Sequence, residues 1–221
     1  ARMDMDSTRS KTAYQNLIQD FETHKTDILA GTQMVTKGLD FDRVSVVGIL
    51  NADNLLSYPD FRAFERAYQV MAQVSGRAGR KEVPGKVIIQ TYRPEHEVLQ
   101  YIVAHDFLAM YRHQIREREQ LHYPPFRCLI RLTLKHNNKQ MVDAAADALA
   151  PMLKKLFPKQ VLGPEFPLVS RIQNNYLKDF WLKLPKNEHL ATKKEYLWQL
   201  LNHFAGLPAY KSVRVVINVD C

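Results

Sequence analysis

Apolar residues recur along this chain with two periods, and the elements they predict fall into two groups. RMDMD opens as a short strand. Asp6, Ser7 and Thr8 then offer cap oxygens for a helix through TAYQNLIQDFETH, whose apolar positions Tyr14, Leu17, Ile18 and Phe21 share a face. TDILAGT reads as a strand running into a Gly-Thr turn. VSVVGIL, Val44 to Leu50, is nearly continuous apolar sequence of the kind a parallel sheet covers on both faces. After Pro59, FRAFERAYQVMAQVSG repeats at helical spacing, and KVIIQTY at 86–92 reads as another buried strand. Strand, helix, strand, strand, helix, strand is the order of an α/β domain, where ligands gather at the carboxyl ends of strands. Gly31-Thr32 and Asn51-Ala52-Asp53 stand at such ends. Four strands are few for a doubly wound sheet, so the domain reads as a truncated one.

Residues 95–121 are helical in pattern and charge-rich toward the end, a connector that the tandem prolines of HYPPFR terminate. Beyond it the order changes. CLIRLTLKH alternates as a strand, and NKQMVDAAADALAPMLKKLF is an amphipathic helix with Pro151 as a defect. VLGPEFPLVSR is short and extended, YLKDFWLKLP alternates, EHLATKKEYLWQLLNHF is helical, and SVRVVINVD closes as a strand. That βαββαβ order predicts a split-βαβ, ferredoxin-like α+β domain.

Composition narrows the functional classes. At 46% hydrophobic content over 221 residues the chain can bury a proper core. No apolar run approaches the roughly 20 residues that span a bilayer, and the start lacks a signal peptide's apolar region, so a cytoplasmic protein is expected. Cys128 and Cys221 are too few for a disulfide framework or a zinc site, both read as inert thiols, and no two histidines have metal-ligand spacing. Residues 1–121 carry 16 Lys and Arg against 16 Asp and Glu, while residues 122–221 carry 15 against 7; the whole excess of +8 lies in the second stretch. Such a domain attracts polyanions, nucleic acid first among them, unless the charge serves only solubility.

Three stretches could carry chemistry. QVSGRAGR at 73–80 sets Arg77 and Arg80 three apart; if helical, the two share a face, Gln73 joins them one turn earlier, and Gly76 and Gly79 keep the turn thin. Arginine forks bond phosphate bidentately, and Arg80 is placed to act as an arginine finger on a transferring γ-phosphoryl group. The plain alternative is a basic helix end stopped by glycine. GTQMVTKGLDF at 31–41 combines Thr32, Gln33, Lys37, Gly38 and Asp40: a turn of backbone amides with a hydroxyl suits a phosphate of nucleotide or nucleic acid, and Asp40 could accept a ribose hydroxyl. Its alternative is a Thr-capped strand-to-helix turn. The third is a hairpin with Arg171, Tyr176 and Lys178 near its turn, suited to a phosphate backbone and a stacked base, or simply polar. GRKEVPGKV is rejected as a phosphate loop, because five residues separate its glycines and Val87 stands where Ser or Thr would bind magnesium. The chain therefore reads as half of an ATP site.

Taken together, QVSGRAGR, GTQMVTKGLDF, PDFRAFER and VLGPEFPLV resemble the C-terminal half of the PriA family, the superfamily 2 replication-restart DNA helicases. The resemblance equates QVSGRAGR with helicase motif VI and GTQMVTKGLDF with motif V. It implies a partial second RecA-like lobe at 1–92, a helical connector at 93–121 and a basic DNA-binding domain at 122–221. It also implies ATP-dependent 3′–5′ translocation in the complete protein, with ATP and Mg²⁺ bound mainly by a first lobe outside this chain and zinc in the full-length protein only. Arg77 and Arg80 are then the catalytic residues, and Gln73, Gly38 and Asp40 contact nucleotide. Thr32, Gln33, Lys37, Arg171, Tyr176 and Lys178 contact nucleic acid. The expected partners are forked or single-stranded DNA, single-stranded-DNA-binding protein and other primosome proteins, with the chain itself a monomeric fragment inactive as an ATPase. Gln73 departs from the His that often opens motif VI. A non-catalytic nucleic-acid or partner-binding module is the competing reading.

Overall fold

The computed structural model describes residues 1–4, 10–32, 41, 44–79 and 85–220, and divides the chain into two units, Ala1–Gln114 and Ile115–Cys221. In the first, β1 (Arg2–Met3) pairs in parallel with β2 (Ala30–Gly31). The intervening helix α1 (Lys11–Glu22) is capped by Ser10, whose hydroxyl accepts the Ala13 amide at 3.1 Å. Asp6, Ser7 and Thr8, the cap candidates read from the sequence, lie outside the described residues. The apolar stripe of α1 behaves as its spacing requires: Tyr14, Leu17, Ile18 and Phe21 pack against buried Met3 and Phe41.

A second parallel pair joins β3 (Val46–Ile49) to β4 (Lys86–Ile89), with Ile49 opposite Ile89. A short helix that the sequence reading missed, α2 (Asp53–Leu56), follows β3. Next comes α3 (Ala63–Ser75), at whose start Asp60 accepts the Arg62 amide at 2.8 Å. Residues 95–121 form two helices, α4 (Glu97–Val103) and α5 (Phe107–Gln120), broken where His105 takes φ 53°. The segment expected as a connector gives Val98, Leu99, Ile102 and Met110 to the core around Met71 and Tyr68.

The strands of this unit depart from expectation. Among the described residues they make two separate two-stranded ladders instead of one sheet. The pair expected to be buried on both faces is covered on one. Ile49 and Ile89 pack on the helical core, whereas Val46 and Ile88 keep 53% and 50% of their surface in solvent. The reason is the placement of cover: the core that receives Ile49 and Ile89 is built from α2, α3, α4 and α5, and it meets one face of the pair.

The second unit is a continuous antiparallel sheet. Its strands β5 (Arg127–His136), β6 (Val161–Glu165), β7 (Arg171–Ile172), β8 (Asn175–Pro185) and β9 (Arg214–Val219) run in the order β6-β8-β5-β9, with β7 also on β8. Cys128, Ile130, Leu132 and Leu134 of β5 send their side chains beneath helices α6 (Lys139–Leu156) and α7 (Leu190–Gly206). Asn138 caps α6 by accepting the amides of Gln140 and Met141 at 2.9 and 3.4 Å. The helix runs on through Pro151, which sits on its exposed side while Leu149, Ala150 and Leu153 face the core. Burial pushes the Cys128 thiol pKa up, so it stays protonated.

Candidate nucleotide- and nucleic-acid-contact sites

The end of α3 fixes the first site. The helix stops at Ser75, Gly76 is its C-cap, and Arg77 and Ala78 continue as a turn closed by bonds to the carbonyls of Val74 and Ser75 at 3.0 and 3.2 Å. Gly79 then reverses the chain at φ 72°, and its amide donates to the Val44 carbonyl at 3.0 Å. This corrects the one-face helical arrangement read from spacing: Gln73 is on the last helical turn, exposed, while Arg77 lies beyond it, half-buried. The glycines divide the work differently too. Gly76 has an ordinary helical φ of −66°, and only Gly79 occupies the left-handed region that glycine alone adopts freely. Arg80 lies outside the described residues.

The bond to Val44 puts this turn at the amino-terminal end of β3. Asn51-Ala52-Asp53 stand at the opposite, carboxyl end, so these two predicted elements do not share a site. Asp53 there has a structural task. It accepts from Thr91 Oγ1 and from the Tyr92 amide, both at 3.0 Å, tying the ends of β3 and β4, and the Tyr92 amide holds its carboxyl below the usual range. Thr32 follows β2, exposed, while Gln33, Lys37, Gly38 and Asp40 lie outside the described residues.

The hairpin is where the sequence placed it. Arg171 pairs with Tyr176 and Ile172 with Asn175, leaving Gln173 and Asn174 as a two-residue turn with φ 48° and 62°. Both positive values are what the tight turn between right-twisted strands demands, and Asn tolerates them best after Gly. The Arg171 guanidinium lies 5.0 Å from the Tyr176 ring centroid and donates to Asn174 Oδ1, so an exposed cation and a half-buried aromatic that packs against the core form one element.

Lys178 does not join that element. Its side chain is 13% exposed, its ammonium lies 2.7 Å from Asp143 Oδ1, and it sits 5.0 Å from the Phe166 ring. Asp143 also takes Lys139 at 3.0 Å, and the hydrogen bonds from Lys178 and Lys139 hold its carboxyl below the usual range. Strand alternation explains the diversion: Lys178 pairs with Leu134, whose side chain enters the core under α6, and α6 carries Asp143. The same alternation sets Arg127, Arg131 and Lys135 on the opposite face of β5, cations that no predicted site included although RCLIRLTLKH spaces them four apart.

Among the described residues no group of three or more His, Cys, Asp or Glu is arranged to hold a metal, and no helix is long and apolar enough to cross a membrane. Residues 3–82 match the helicase conserved C-terminal domain, and residues 119–221 the primosomal protein N C-terminal domain. The replication restart protein PriA of Bacillus subtilis is 38% identical over 221 residues, covering 99% of this chain and 27% of that protein. Its counterpart from Synechocystis is 41% identical over 186 residues, covering 83% of this chain and 22% of that protein. The one from Chlamydia trachomatis is 44% identical over 219 residues, covering 99% and 29%. The chain spans less than a third of the length of these relatives, and over that span it is homologous to the PriA replication restart proteins.

Proposed function

We propose that this chain is the C-terminal part of an ATP-dependent 3′–5′ DNA helicase of replication restart, supplying one side of an interlobe ATP site and a basic DNA-binding domain. The observation that carries the reading is the α3 terminus. Gln73 is exposed on the last turn, and Arg77 follows in a glycine-bounded reversal, within the stretch that matches the helicase conserved C-terminal domain. Such a cationic turn fits the outer face of a triphosphate held elsewhere, with Arg80 as the finger. ATP with Mg²⁺ would supply the phosphoryl group; Arg77 and Arg80 would stabilise charge on it, and Gln73, Gly38 and Asp40 would bound the nucleotide.

Residues 1–92 are then a partial RecA-like lobe, 93–121 its link, and 122–221 a ferredoxin-like DNA-binding domain, a reading that the antiparallel order β6-β8-β5-β9 supports. Thr32, Gln33 and Lys37 contact the DNA backbone from the lobe, Arg171 and Tyr176 from the hairpin. Lys178 is the least available of these cations for a phosphate, since Asp143 already pairs with it. Forked DNA, single-stranded-DNA-binding protein and primosome proteins are the partners, in the cytoplasm. In a complete protein carrying this chain, Arg77→Ala and Arg80→Ala are each expected to lower DNA-stimulated ATP hydrolysis by roughly 10³-fold. Turnover within a few-fold of the parent in both variants refutes the nucleotide role, leaving a DNA-binding module without motor chemistry.

A further inference from the structure

Strand register sorts the cations of the second unit more sharply than charge counting does. Arg127, Arg131 and Lys135 alternate along β5 with Cys128, Ile130, Leu132 and Leu134, which enter the core under α6 and α7; the three cations therefore stand on the face turned away from the helices. Pairing extends that face. Lys183 is opposite Leu129 and Trp181 opposite Arg131 on β8, while Arg214 is opposite Lys135 on β9. Tyr176 and Arg171 pair on the other side of the sheet, in register with His136, so the hairpin element and this face are separate surfaces.

The charges on this face are poorly neutralised. Among the described residues Arg127, Lys135 and Arg214 make no ion pair, and Arg131 lies over the Trp181 ring at 5.3 Å with no carboxylate. Lys183 donates to the Leu121 carbonyl at 2.7 Å and lies 3.8 Å from the centre of the Tyr123 ring. The acids that register puts here are Asp179, Glu165 and Asp220. Asp179 is 5% exposed and accepts from Thr133 Oγ1 at 2.6 Å, and Asp220 accepts the Leu129 amide at 2.9 Å. Glu165, exposed at the strand edge, is the remaining one. Arg214 is exposed, and Arg127, Arg131, Lys135, Lys183 and Trp181 are half-buried; the Arg131 Nε is itself buried without a hydrogen-bond partner, and the Lys183 ammonium is held at the Leu121 carbonyl. Leu162, opposite Trp181 on β6, is 55% exposed beside it.

We infer that this sheet face binds single-stranded nucleic acid, with Arg127, Lys135 and Arg214 on phosphates and the Arg131–Trp181 pair as a platform for a base. Unpaired cations spaced along strands follow a backbone, and an aromatic among them stacks on any base. A duplex keeps its base faces inside its own stack, so the tryptophan favours an unpaired strand. The inference rests on the second unit being a nucleic-acid-binding domain and is independent of the ATP site.

Fluorescence anisotropy of a labelled oligothymidine with the 221-residue chain, across a salt series, tests it. The variant carrying Arg127→Gln, Lys135→Gln and Arg214→Gln is expected to bind on the order of tenfold or more weakly. Its slope of log K against log salt should fall by about 2, since each single-strand phosphate contact contributes about 0.7. Circular dichroism establishes that the variant is folded. An unchanged slope overturns the inference while DNA binding by the unit stands; no binding by the parent chain overturns both. A second readout uses Trp181 alone: Trp198→Phe leaves it as the sole tryptophan, and its emission is expected to be quenched at saturation. Undiminished emission, or a blunt duplex binding as tightly as the single strand, overturns the stacked single-strand geometry.

Discussion

In the second unit, α6 and α7 close over one face of a continuous sheet, and Leu132, Leu134, Phe180, Leu182 and Phe204 reach zero exposure. In the first, the described strands form two short ladders, and of the largest fully buried side chains only Met3 and Met71 belong to it. The contrast follows from how each sheet is covered. An antiparallel sheet with helices on one side buries a full apolar face by itself, and its other face can be polar. Parallel strands expect cover on both faces, and here Val46 and Ile88 lack it. The unit with the deeper core also carries the whole +8, so in the proposed function stability and nucleic-acid affinity would reside together, while the arginines proposed for the ATP site belong to the shallower unit.

The largest expected effect breaks the comparison at its core. Phe180→Ala should cost about 3–5 kcal/mol, because the ring is fully buried between sheet and helices. Trp181 and Trp198 are the only tryptophans and both belong to the second unit, so tryptophan emission in a denaturant titration reports that unit. Phe180→Ala should move its midpoint, and Met71→Ala, costing about 2–3 kcal/mol in the first unit, should move the circular-dichroism transition and leave the tryptophan midpoint in place. A Met71→Ala variant that shifts both equally would show that the units unfold as one.

The same contrast explains what was legible beforehand. In the second unit every main element followed from the residues, because alternation along CLIRLTLKH and YLKDFWLKLP and the stripe of α6 each answer to one buried face. Only β7 was unseen as a strand in its own right. In the first unit VSVVGIL and KVIIQTY were legible as strands but not in their burial, which depends on what packs against them and not on their own apolar run. The hairpin cation and aromatic were readable because turn chemistry fixes their register. Lys178 was misplaced because its partner, Asp143, is on a helix 35 residues earlier. QVSGRAGR suggested a phosphate-facing arginine pair on one helical face, but that arrangement turned on where α3 ends, and the helix stops at Ser75, before Arg77.

A pair of glycine substitutions sharpens the point within the first unit. Gly79→Ala should cost about 1–2 kcal/mol, since φ 72° places a Cβ against the following carbonyl. Gly76→Ala should stay within about 0.5 kcal/mol. Its φ is helical, and the added Cβ would meet only the Ala72 and Gln73 carbonyl oxygens at ordinary contact distances of 3.5 and 3.7 Å. Thermal melts of the two variants by circular dichroism decide it; equal losses would mean that the reversal at Gly79 does not hold the motif.

The smallest expected effect separates structural from DNA-directed charge in the second unit. Asp143 pairs with Lys178 and Lys139, and the hydrogen bonds from Lys178 and Lys139 hold its pKa below the ordinary carboxylate range. A depressed carboxylate pKa means that the folded state favours the ionised form. The stabilisation is therefore complete above the unfolded pKa and disappears as pH falls through the folded one. Asp143→Asn should cost about 0.5–1 kcal/mol at pH 7, an exposed-pair magnitude because Asp143 and Lys139 remain partly in solvent, and the variant and parent should converge in denaturant midpoint as pH falls through the lowered folded-state pKa. The substitution should also release the Lys178 ammonium, so oligothymidine binding at neutral pH is expected to hold or tighten slightly. A loss of affinity instead would mean that the carboxylate positions a DNA-contacting lysine, returning Lys178 to the binding surface.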